Sequence, residues 1–479
     1  MRKALFITAL LVSAIASAAD YNGRDYGAKG DGTTLDSPAI NAAIEACSAA
    51  GGGTVNLPAG QYLSGSIRLR SHIDLHLEAG ATIIATDQKG AYDESEPFNF
   101  PEYQDGGHTY FHNSLIWAEG QTNISITGRG MIDGRGLTRH DTENAGNVQG
   151  GSIGTGDKAI ALKLCRNVLI RDITIYRGGH FAIIITGCDY ATIDNVFIDT
   201  NRDGIDIDCC RFTTVSNSKI NTPNDDGLVL KSSYALKKPV VCEDILITNC
   251  VVTGFKVGTA LDGTYVPEKV NWVCGRIKLG TESNGGFRNI AISNCTCLYS
   301  SGLAFEVVDQ GIMENITVSN IAMRHVHHYP IYITTGCRNR GPKERTDVST
   351  ARNIQISNVI AEDCDSLSGI QITGMPGHPI ENVKLSQIQL SYRGGIQRTI
   401  STDYPELGTK YPEIAKFLGT CPAYGLFARH VKGLHLSDIT IQLLQPDSRP
   451  CILTPDVEEL HINQVKTPEG MVSVPATNP

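Results

Sequence analysis

The feature that most constrains the fold of this chain is a short pattern that recurs about ten times. In each copy Asn or Asp is followed by Ile or Val alternating with polar residues. Complete or partial copies occupy residues 123–126, 167–170, 191–193, 213–215, 244–247, 289–292, 315–318, 353–356, 382–385 and 434–436. In the tightest cases they begin about 22 to 31 residues apart, which is too short for a β–α–β crossover but long enough for three short strands and their turns.

This spacing predicts an all-β fold, a parallel β-helix in which each copy forms one coil. Successive coils would stack at roughly 4.8 Å, and each strand would pair with its counterpart in the next coil. The Ile and Val side chains would then fill the core, while the Asn and Asp side chains would stack in the turns.

The first coil of such a stack exposes unpaired backbone groups and needs a cover. Residues 37–47 (SPAINAAIEAC) have an N-cap serine, a proline in the first turn and helical apolar spacing, and three glycines follow at 51–53. We therefore expect an N-terminal capping helix, with the first strands at 54–57 and 73–77. Residues 91–156 are expected to be mostly a long loop beside a cleft. With no linker in the sequence, residues 19–479 are predicted to form a single parallel β-helix domain.

Residues 1–18 have the pattern of a signal peptide, with Arg2 and Lys3, an apolar stretch at 4–15 and Ala-Ser-Ala at 16–18. The mature protein is therefore expected to be periplasmic or secreted, and no later segment is long and apolar enough to predict a membrane span. A formal charge of -9 without a basic block argues against nucleic acid as a partner.

The fourteen cysteines all follow the signal segment. Pairs such as Cys188 and Cys210, about one coil apart, leave two alternatives open, which are stacked buried thiols and disulfides between neighbouring coils. Their spacing does not match a metal-binding pattern, and we predict neither a metal nor a cofactor.

Two acidic segments, 201–206 (NRDGID) and 224–227 (NDDG), lie one coil apart, because Asp225 follows Asp203 by 22 residues. The carboxylates of Asp203, Asp225 and Asp226 are therefore expected to crowd together, which raises the pKa of at least one of them. An acid beside a base is what cleavage of a glycosidic bond requires. The alternatives are a turn ladder of polar side chains and a calcium site. Asp206 and Asp208 have the opposite strand parity to Asp203, so they are predicted to point to the other face, away from the site, and to be structural.

These motifs, together with residues 26–32 (YGAKGDG), Lys231-Ser232 and 280–286 (GTESNGG), resemble glycoside hydrolase family 28, the polygalacturonase family. The resemblance covers nearly the whole mature chain. It implies a right-handed parallel β-helix and inverting hydrolysis of pectic glycosides of the galacturonan or rhamnogalacturonan type. Asp225 would be the general acid, and Asp203 and Asp226 would hold and deprotonate the attacking water. Inversion predicts acid and base carboxylates roughly 6.5 to 9.5 Å apart.

The sequence departs from the family pattern at two places. Cys274 stands where the family has a histidine, and the family's Arg-Ile-Lys matches Arg276 and Lys278 one coil too early, with Glu306 at the expected coil. We treat the match as accidental, although alternation would place both cations on one face where they could bind an anion. A neutral sugar such as rhamnose then fits that subsite better than a galacturonate. An insertion at 262–272 either blocks one end of the cleft, which would favour exo action, or is an ordinary long turn.

The remaining candidates for substrate binding are His180, Lys231, Arg338 and Arg340, beside Arg276, Lys278 and Glu306. His180 would replace the missing histidine or be a turn or core residue, and the two arginines would clamp a sugar carboxylate or be solvated loop charges. The predicted partner is a pectic polysaccharide or oligosaccharide bound by a monomer. Two rival functions are a calcium-dependent polysaccharide lyase and a non-catalytic glycan-binding β-helix protein.

Overall fold

The computed structural model describes residues 19–97, 106–138, 154–268, 273–413 and 418–472. The predicted signal peptide at residues 1–18 therefore lies outside the described residues. Within them the chain forms two sheets, one α-helix and two short 3-10 turns at Gly23–Tyr26 and Gly106–His108.

The first sheet contains twelve strands, one from each coil that it crosses. They are β5 (Ile67–Arg68), β8 (Ile116–Glu119), β11 (Ile160–Lys163), β14 (Phe181–Thr186), β17 (Asp203–Asp208), β20 (Leu228–Ser232), β23 (Ile277–Ser283), β25 (Leu303–Val307), β27 (Ile331–Thr335), β29 (Ile370–Thr373), β31 (Leu426–Arg429) and β33 (Ile452–Leu453).

The second sheet contains the other twenty-three strands among the described residues, and its later strands are long and bend around two sides of a coil. They are β1 (Ala19–Asn22), β2 (Asp31–Leu35), β3 (Gly53–Leu57), β4 (Gly60–Ser64), β6 (Ile73–Leu77), β7 (Ala81–Ala85), β9 (Thr122–Gly128), β10 (Met131–Asp133), β12 (Arg166–Arg171), β13 (Thr174–Tyr176), β15 (Asp189–Asp194), β16 (Phe197–Asp199), β18 (Arg211–Ser216), β19 (Lys219–Asn221), β21 (Cys242–Thr248), β22 (Val251–Thr253), β24 (Phe287–Ser300), β26 (Ile312–Val326), β28 (Thr350–Cys364), β30 (Ile380–Gly394), β32 (Val431–Gln445), β34 (Val457–Thr467) and β35 (Gly470–Val472).

The strands pair in parallel from coil to coil, and only the described pair β34–β35 is antiparallel. Register places like side chains above one another. One row of fully buried aliphatic residues runs through six coils: Ile183, Ile205, Leu228, Ile277, Leu303 and Ile331. Each such side chain contributes roughly 2 kcal/mol by leaving water. The predicted parallel β-helix is confirmed, with the Ile and Val positions of the repeat in its core.

The asparagines that open the repeat form a second row, on the outside of the turns. Asn382 donates to Asn353, Asn353 to Asn315 and Asn315 to Asn289, over 3.1–3.2 Å. All four have φ between 54° and 59°. Asparagine tolerates this left-handed conformation better than most residues, because its short side chain bonds locally. The same residue type therefore supplies both the turn and the contact between coils.

The capping helix is present as α1 (Ser37–Ala49). Its N-cap is Asp36 rather than the predicted Ser37, and the Asp36 carboxylate accepts hydrogen bonds from the backbone N–H groups of Lys29 and Gly30 instead of capping the helix. Ile40, Ile44 and Cys47 are fully buried on the side of the helix that joins the core. The helix thus covers the apolar end of the stack.

Most of the described residues of 91–156 lie outside strands and helices, as expected, but β8, β9 and β10 form part of a coil within this stretch. Residues 98–105 and 139–153 lie outside the described residues. The fourteen cysteines all lie within the described residues and none forms a disulfide. Cys165 N and Cys188 N instead donate to the sulfur one coil further on, at 3.4 and 3.3 Å, so these thiols stack.

The described helix is too short and too polar to be a membrane span. The assignment of residues 19–479 to one domain stays a prediction.

Candidate functional site

The three aspartates lie where the chain turns from the second sheet into the first. Asp203 is the first residue of β17, and Asp225 and Asp226 stand in the turn between β19 and β20, one coil further along. The backbone N–H of Asp226 donates to Asp203 Oδ1 at 3.2 Å. Residues separated by 23 positions in the sequence therefore meet in the structure.

Gly204, directly after Asp203, lets the two turns approach. Gly204 N donates to the carbonyl of Asp226 at 2.9 Å. A Cβ on Gly204 would lie 2.5 Å from the carbonyl oxygen of Gly227 and 2.4 Å from Ile220 Cγ2. Since both distances are impossible for real atoms, any larger residue would push the aspartates apart.

The three carboxylates differ in exposure. The Asp225 side chain is 23% exposed, whereas those of Asp203 and Asp226 are 5% and 3% exposed. Asp225 Oδ2 lies 2.7 Å from Arg202 Nη2. Asp225 is thus the carboxylate that reaches open solvent.

Their pKa values diverge as well. Burial, reinforced by the neighbouring Asp225 and Asp206, raises the pKa of Asp203 well above its usual range. Burial also opposes ionisation of Asp225 and Asp226, but cations outweigh it. Arg202 lowers the pKa of Asp225, and Arg276 with Lys278 lowers that of Asp226 strongly. A carboxyl group that keeps its proton therefore stands beside two that lose theirs.

Lys231 links this site to a second group of carboxylates. Its Nζ lies 3.8 Å from Asp203, 3.3 Å from Asp206 and 3.4 Å from Glu282. The prediction that Asp206 faces away from the site is therefore wrong. Asp203 stands at the start of its strand, where the turn rather than strand alternation decides its direction, so parity does not separate it from Asp206.

Glu282 also holds the two arginines predicted to bind a sugar. It lies 3.2 Å from Arg338 and 3.1 Å from Arg340. Arg338 additionally forms a two-point ion pair with Asp309 and its side chain is only 6% exposed, whereas that of Arg340 is 24% exposed. Both arginines belong to the same polar network as Lys231, and neither is a solvated loop charge.

Arg276 and Lys278 hold protein carboxylates. Arg276 Nε lies 2.5 Å from Asp226 Oδ1, and Lys278 Nζ lies 3.3 Å from Asp226 Oδ2. Lys278 also lies 3.2 Å from Glu306. Glu306 was predicted to face the sugar but is completely buried, so this interpretation is wrong; burial raises its pKa to about 7. Both cations are buried too, and the anions they bind belong to the protein.

His180 lies one coil before Asp203, stacked on Phe181 with ring centroids 4.2 Å apart and with Nδ1 3.5 Å from Asp157. His108 lies near the acidic cluster, with Nε2 3.6 Å from Asp206 Oδ2. Sequence reasoning missed His108 because it belongs to the 3-10 turn at Gly106–His108, in a stretch without a repeat.

Cys274, at the family's histidine position, has its Sγ 3.3 Å from Asp226 Oδ1. Burial raises its pKa, so the sulfur stays a neutral thiol that can donate to the carboxylate.

Ligand atoms of Asp225, Asp226 and Cys274 all lie within 4.8 Å of one another, a spacing that could hold a metal ion. Calcium prefers oxygen ligands, however, and both Asp226 oxygens already contact cations, so the group fits calcium poorly. One oxygen of Asp225 and one of Asp226 thus lie within 4.8 Å of each other, and the predicted separation of roughly 6.5 to 9.5 Å between the acid and base carboxyl groups stays a prediction.

The described part of the insertion, 262–268, packs on the outside of the second sheet. Tyr265 stacks edge-on against Phe255 at 5.5 Å and borders a cavity that is also lined by Lys219 of β19 and Val251 of β22. Residues 269–272, the remainder of the insertion, lie outside the described residues, so both alternatives for it stay open.

Known proteins resemble this chain in sequence. The family model described as rhamnogalacturonase A/epimerase, pectate lyase-like, matches residues 21–256. A probable polygalacturonase of Vitis vinifera is 23% identical over 409 residues, which cover 81% of this chain and 78% of the relative. An exopolygalacturonase of Platanus acerifolia is 23% identical over 394 residues, covering 79% and 92% respectively.

The family 28 exopolygalacturonase of Yersinia enterocolitica is similar in structure, with a TM-score of 0.68 at 18% identity over 96% of this chain and 80% of that chain. The two share the right-handed parallel β-helix. The sequence relatives and the fold thus agree with the resemblance to glycoside hydrolase family 28 drawn from the motifs, and the relatives indicate a pectin glycoside hydrolase.

Proposed function

We propose that this protein hydrolyses glycosidic bonds of a pectic polysaccharide or oligosaccharide, acting from a chain end and inverting the anomeric centre. The observation that carries the proposal is that Asp203, Asp225 and Asp226 meet on adjacent coils, where the pKa of Asp203 is raised and that of Asp226 is lowered. The relatives named polygalacturonase and exopolygalacturonase support pectin as the substrate class and a chain end as the point of attack.

In this mechanism Asp225 donates the proton to the leaving oxygen. It is the most exposed of the three carboxyl groups. Its side chain is hydrogen-bonded to Asp203, which holds a proton because its pKa is raised. Displacement of Arg202 from Asp225 by the incoming sugar would favour transfer of that proton to Asp225, because the cation is what holds the Asp225 pKa down.

Asp226 acts as the base. Arg276 and Lys278 keep it ionised, so it can take a proton from a water molecule as the oxygen of that water attacks the anomeric carbon. The glycosidic bond breaks toward the oxygen that Asp225 protonates. The two protons balance, since one leaves Asp225 and one arrives at Asp226, and exchange with solvent restores both groups.

The stereochemical part of the proposal rests on the resemblance to family 28 and not on the spacing of Asp225 and Asp226. Proton NMR of the first product, before mutarotation, tests it directly. An α-linked substrate should give a β-configured reducing end, and an α-configured product would refute inversion.

The central test incubates the purified protein with polygalacturonate and with rhamnogalacturonan fragments, with and without a chelator. Products heavier by one water, without ultraviolet absorbance and unaffected by the chelator, are expected of a hydrolase. An absorbing unsaturated product that requires calcium would identify a lyase, and binding without products would identify a glycan-binding protein.

Asp225→Asn should abolish turnover while leaving folding and substrate binding unchanged. Asp194→Asn is the matched control, because Asp194 lies on the second sheet and accepts hydrogen bonds from Ser216 and Asn217. Turnover retained in Asp225→Asn would refute the assignment of the acid.

We also propose export of a monomeric protein after removal of residues 1–18. N-terminal sequencing of the product from the periplasm and the medium tests the cleavage, and light scattering tests the oligomeric state.

A further inference from the structure

A segment far along the chain reaches the catalytic turns. Glu413 Oε1 lies 2.8 Å from Arg276 Nη2, across 137 residues of sequence. Two residues earlier, the Tyr411 hydroxyl meets Thr281 Oγ1 at 2.9 Å. The Glu413 side chain is 10% exposed, so the contact is almost closed to solvent.

Glu413 completes the coordination of the Arg276 guanidinium. Arg276 Nε contacts Asp226 at 2.5 Å, Nη1 contacts the Tyr329 hydroxyl at 2.6 Å, and Nη2 contacts Glu413. All three nitrogens are thus engaged, and the side chain is 2% exposed. A substrate carboxylate could reach this guanidinium only by displacing Glu413.

The charges in this cluster also disfavour a substrate carboxylate. Two cations, Arg276 and Lys278, face three carboxyl groups, Asp226, Glu306 and Glu413. A sugar carboxylate brought beside them would add a fourth acidic group to a poorly solvated region, which is unfavourable without another cation.

Tyr411 fills the space next to the cluster. Its ring centroid lies 5.9 Å from Lys278 Nζ, and 5.4 and 5.8 Å from the guanidinium carbons of Arg338 and Arg340. The segment therefore brings an aromatic ring and a carboxylate together against four cations at this end of the site.

We propose that Glu413 determines specificity, by occupying the Arg276 position that a uronate carboxylate would otherwise take. The subsite next to Asp226 then accepts a sugar without a free carboxylate, either a neutral pyranose or a methyl-esterified uronate. This inference rests on the proposed function, because it concerns the substrate of the same site.

The test compares one oligogalacturonide in two forms, with free carboxylates and fully methyl-esterified, on three variants. Glu413→Gln removes the negative charge but keeps the shape and an acceptor, and Glu413→Asp keeps the charge. Glu406→Gln is the matched control, since Glu406 lies in the same part of the chain and pairs with Arg429 and His430.

The wild-type protein should favour the esterified form in kcat/KM. Glu413→Gln should shift the ratio toward the free acid by about tenfold, as expected for one hydrogen bond to a charged group. Glu413→Asp and Glu406→Gln should leave the preference for the ester in place. An unchanged ratio in a Glu413→Gln variant that melts like the control would overturn the proposal.

Failure of the proposed function gives a different result. If the wild-type protein cleaves neither form and no rhamnogalacturonan fragment, hydrolysis is refuted. The two forms are then compared by calorimetric affinity. If the wild-type protein binds the free acid more weakly than the ester and Glu413→Gln removes that difference in affinity, the inference is still supported. If Glu413→Gln changes the affinity for both forms equally, the inference is overturned.

Discussion

Replacing Glu306 by Gln should change how the stability of this protein depends on pH. The carboxyl group of Glu306 is fully buried beside Lys278 and Arg276, but both cations are shared with Asp226. Burial therefore dominates and raises its pKa from 4.5 to about 7. The amide of Gln resembles the protonated acid in shape but cannot ionise.

The sign follows from where the proton is bound. Below pH 4.5 the folded and unfolded states both hold it, and the stabilisation is complete. As the pH rises toward 7 the unfolded chain releases its proton first, so the free energy of unfolding falls. A difference of about 2.5 pKa units at about 1.36 kcal/mol each amounts to about 3 kcal/mol.

Thermal unfolding at a series of pH values measures this effect. At about 2.1 cal/mol/K per residue the unfolding entropy of the 479 residues is roughly 1 kcal/mol/K, so about 3 kcal/mol corresponds to about 3 °C. Between about pH 4 and about pH 8 the Glu306→Gln variant should gain this much in Tm relative to the wild-type protein. Glu314→Gln, at an ion pair with Arg352 on the outside of the coils, is the control. A difference in Tm between Glu306→Gln and the wild-type protein that does not change with pH across this range would refute the reasoning.

Two further predictions concern the acid and the thiols. Arg202→Gln should raise the pKa of Asp225 and move the alkaline limb of the kcat/KM profile to higher pH by about one unit, since the acid then keeps its proton longer. A limb that stays in place or moves to lower pH would contradict the role of Arg202. The purified protein, unfolded without reductant, should titrate as fourteen thiols, and a lower count would reveal disulfides.

Much of the fold could be predicted because its signals are local. Alternating Ile and Val define strands, and the Asn that precedes them marks a turn, as the row from Asn289 to Asn382 demonstrates. The same period brought Asp203 and Asp225 to adjacent coils. Local rules do not extend to the start of β17, where the turn sets the direction of Asp203 and the alternation that Asp206 follows does not apply.

The surroundings of the aspartates were harder to predict because they come from distant parts of the chain. His108 belongs to a stretch without a repeat, and Glu413 reaches Arg276 from 137 residues away, which no periodicity encodes. Arg202 belongs to the segment 201–206 that the sequence singled out, but its ion pair with Asp225 depends on the neighbouring turn. Whether a cation binds a ligand or a protein carboxylate is decided by such contacts.

The stacked thiols have a consequence for how the chain must be made. Thirteen of the fourteen cysteines are buried, so an oxidant reaches them mainly while the coils are incomplete. Pairing of parallel strands distant in sequence is intrinsically slow, whereas disulfides form within seconds to hours. If the protein is exported as proposed, closure of the coils competes kinetically with oxidation of the thiols. Disulfides formed early between thiols of neighbouring coils would trap the chain before it has folded.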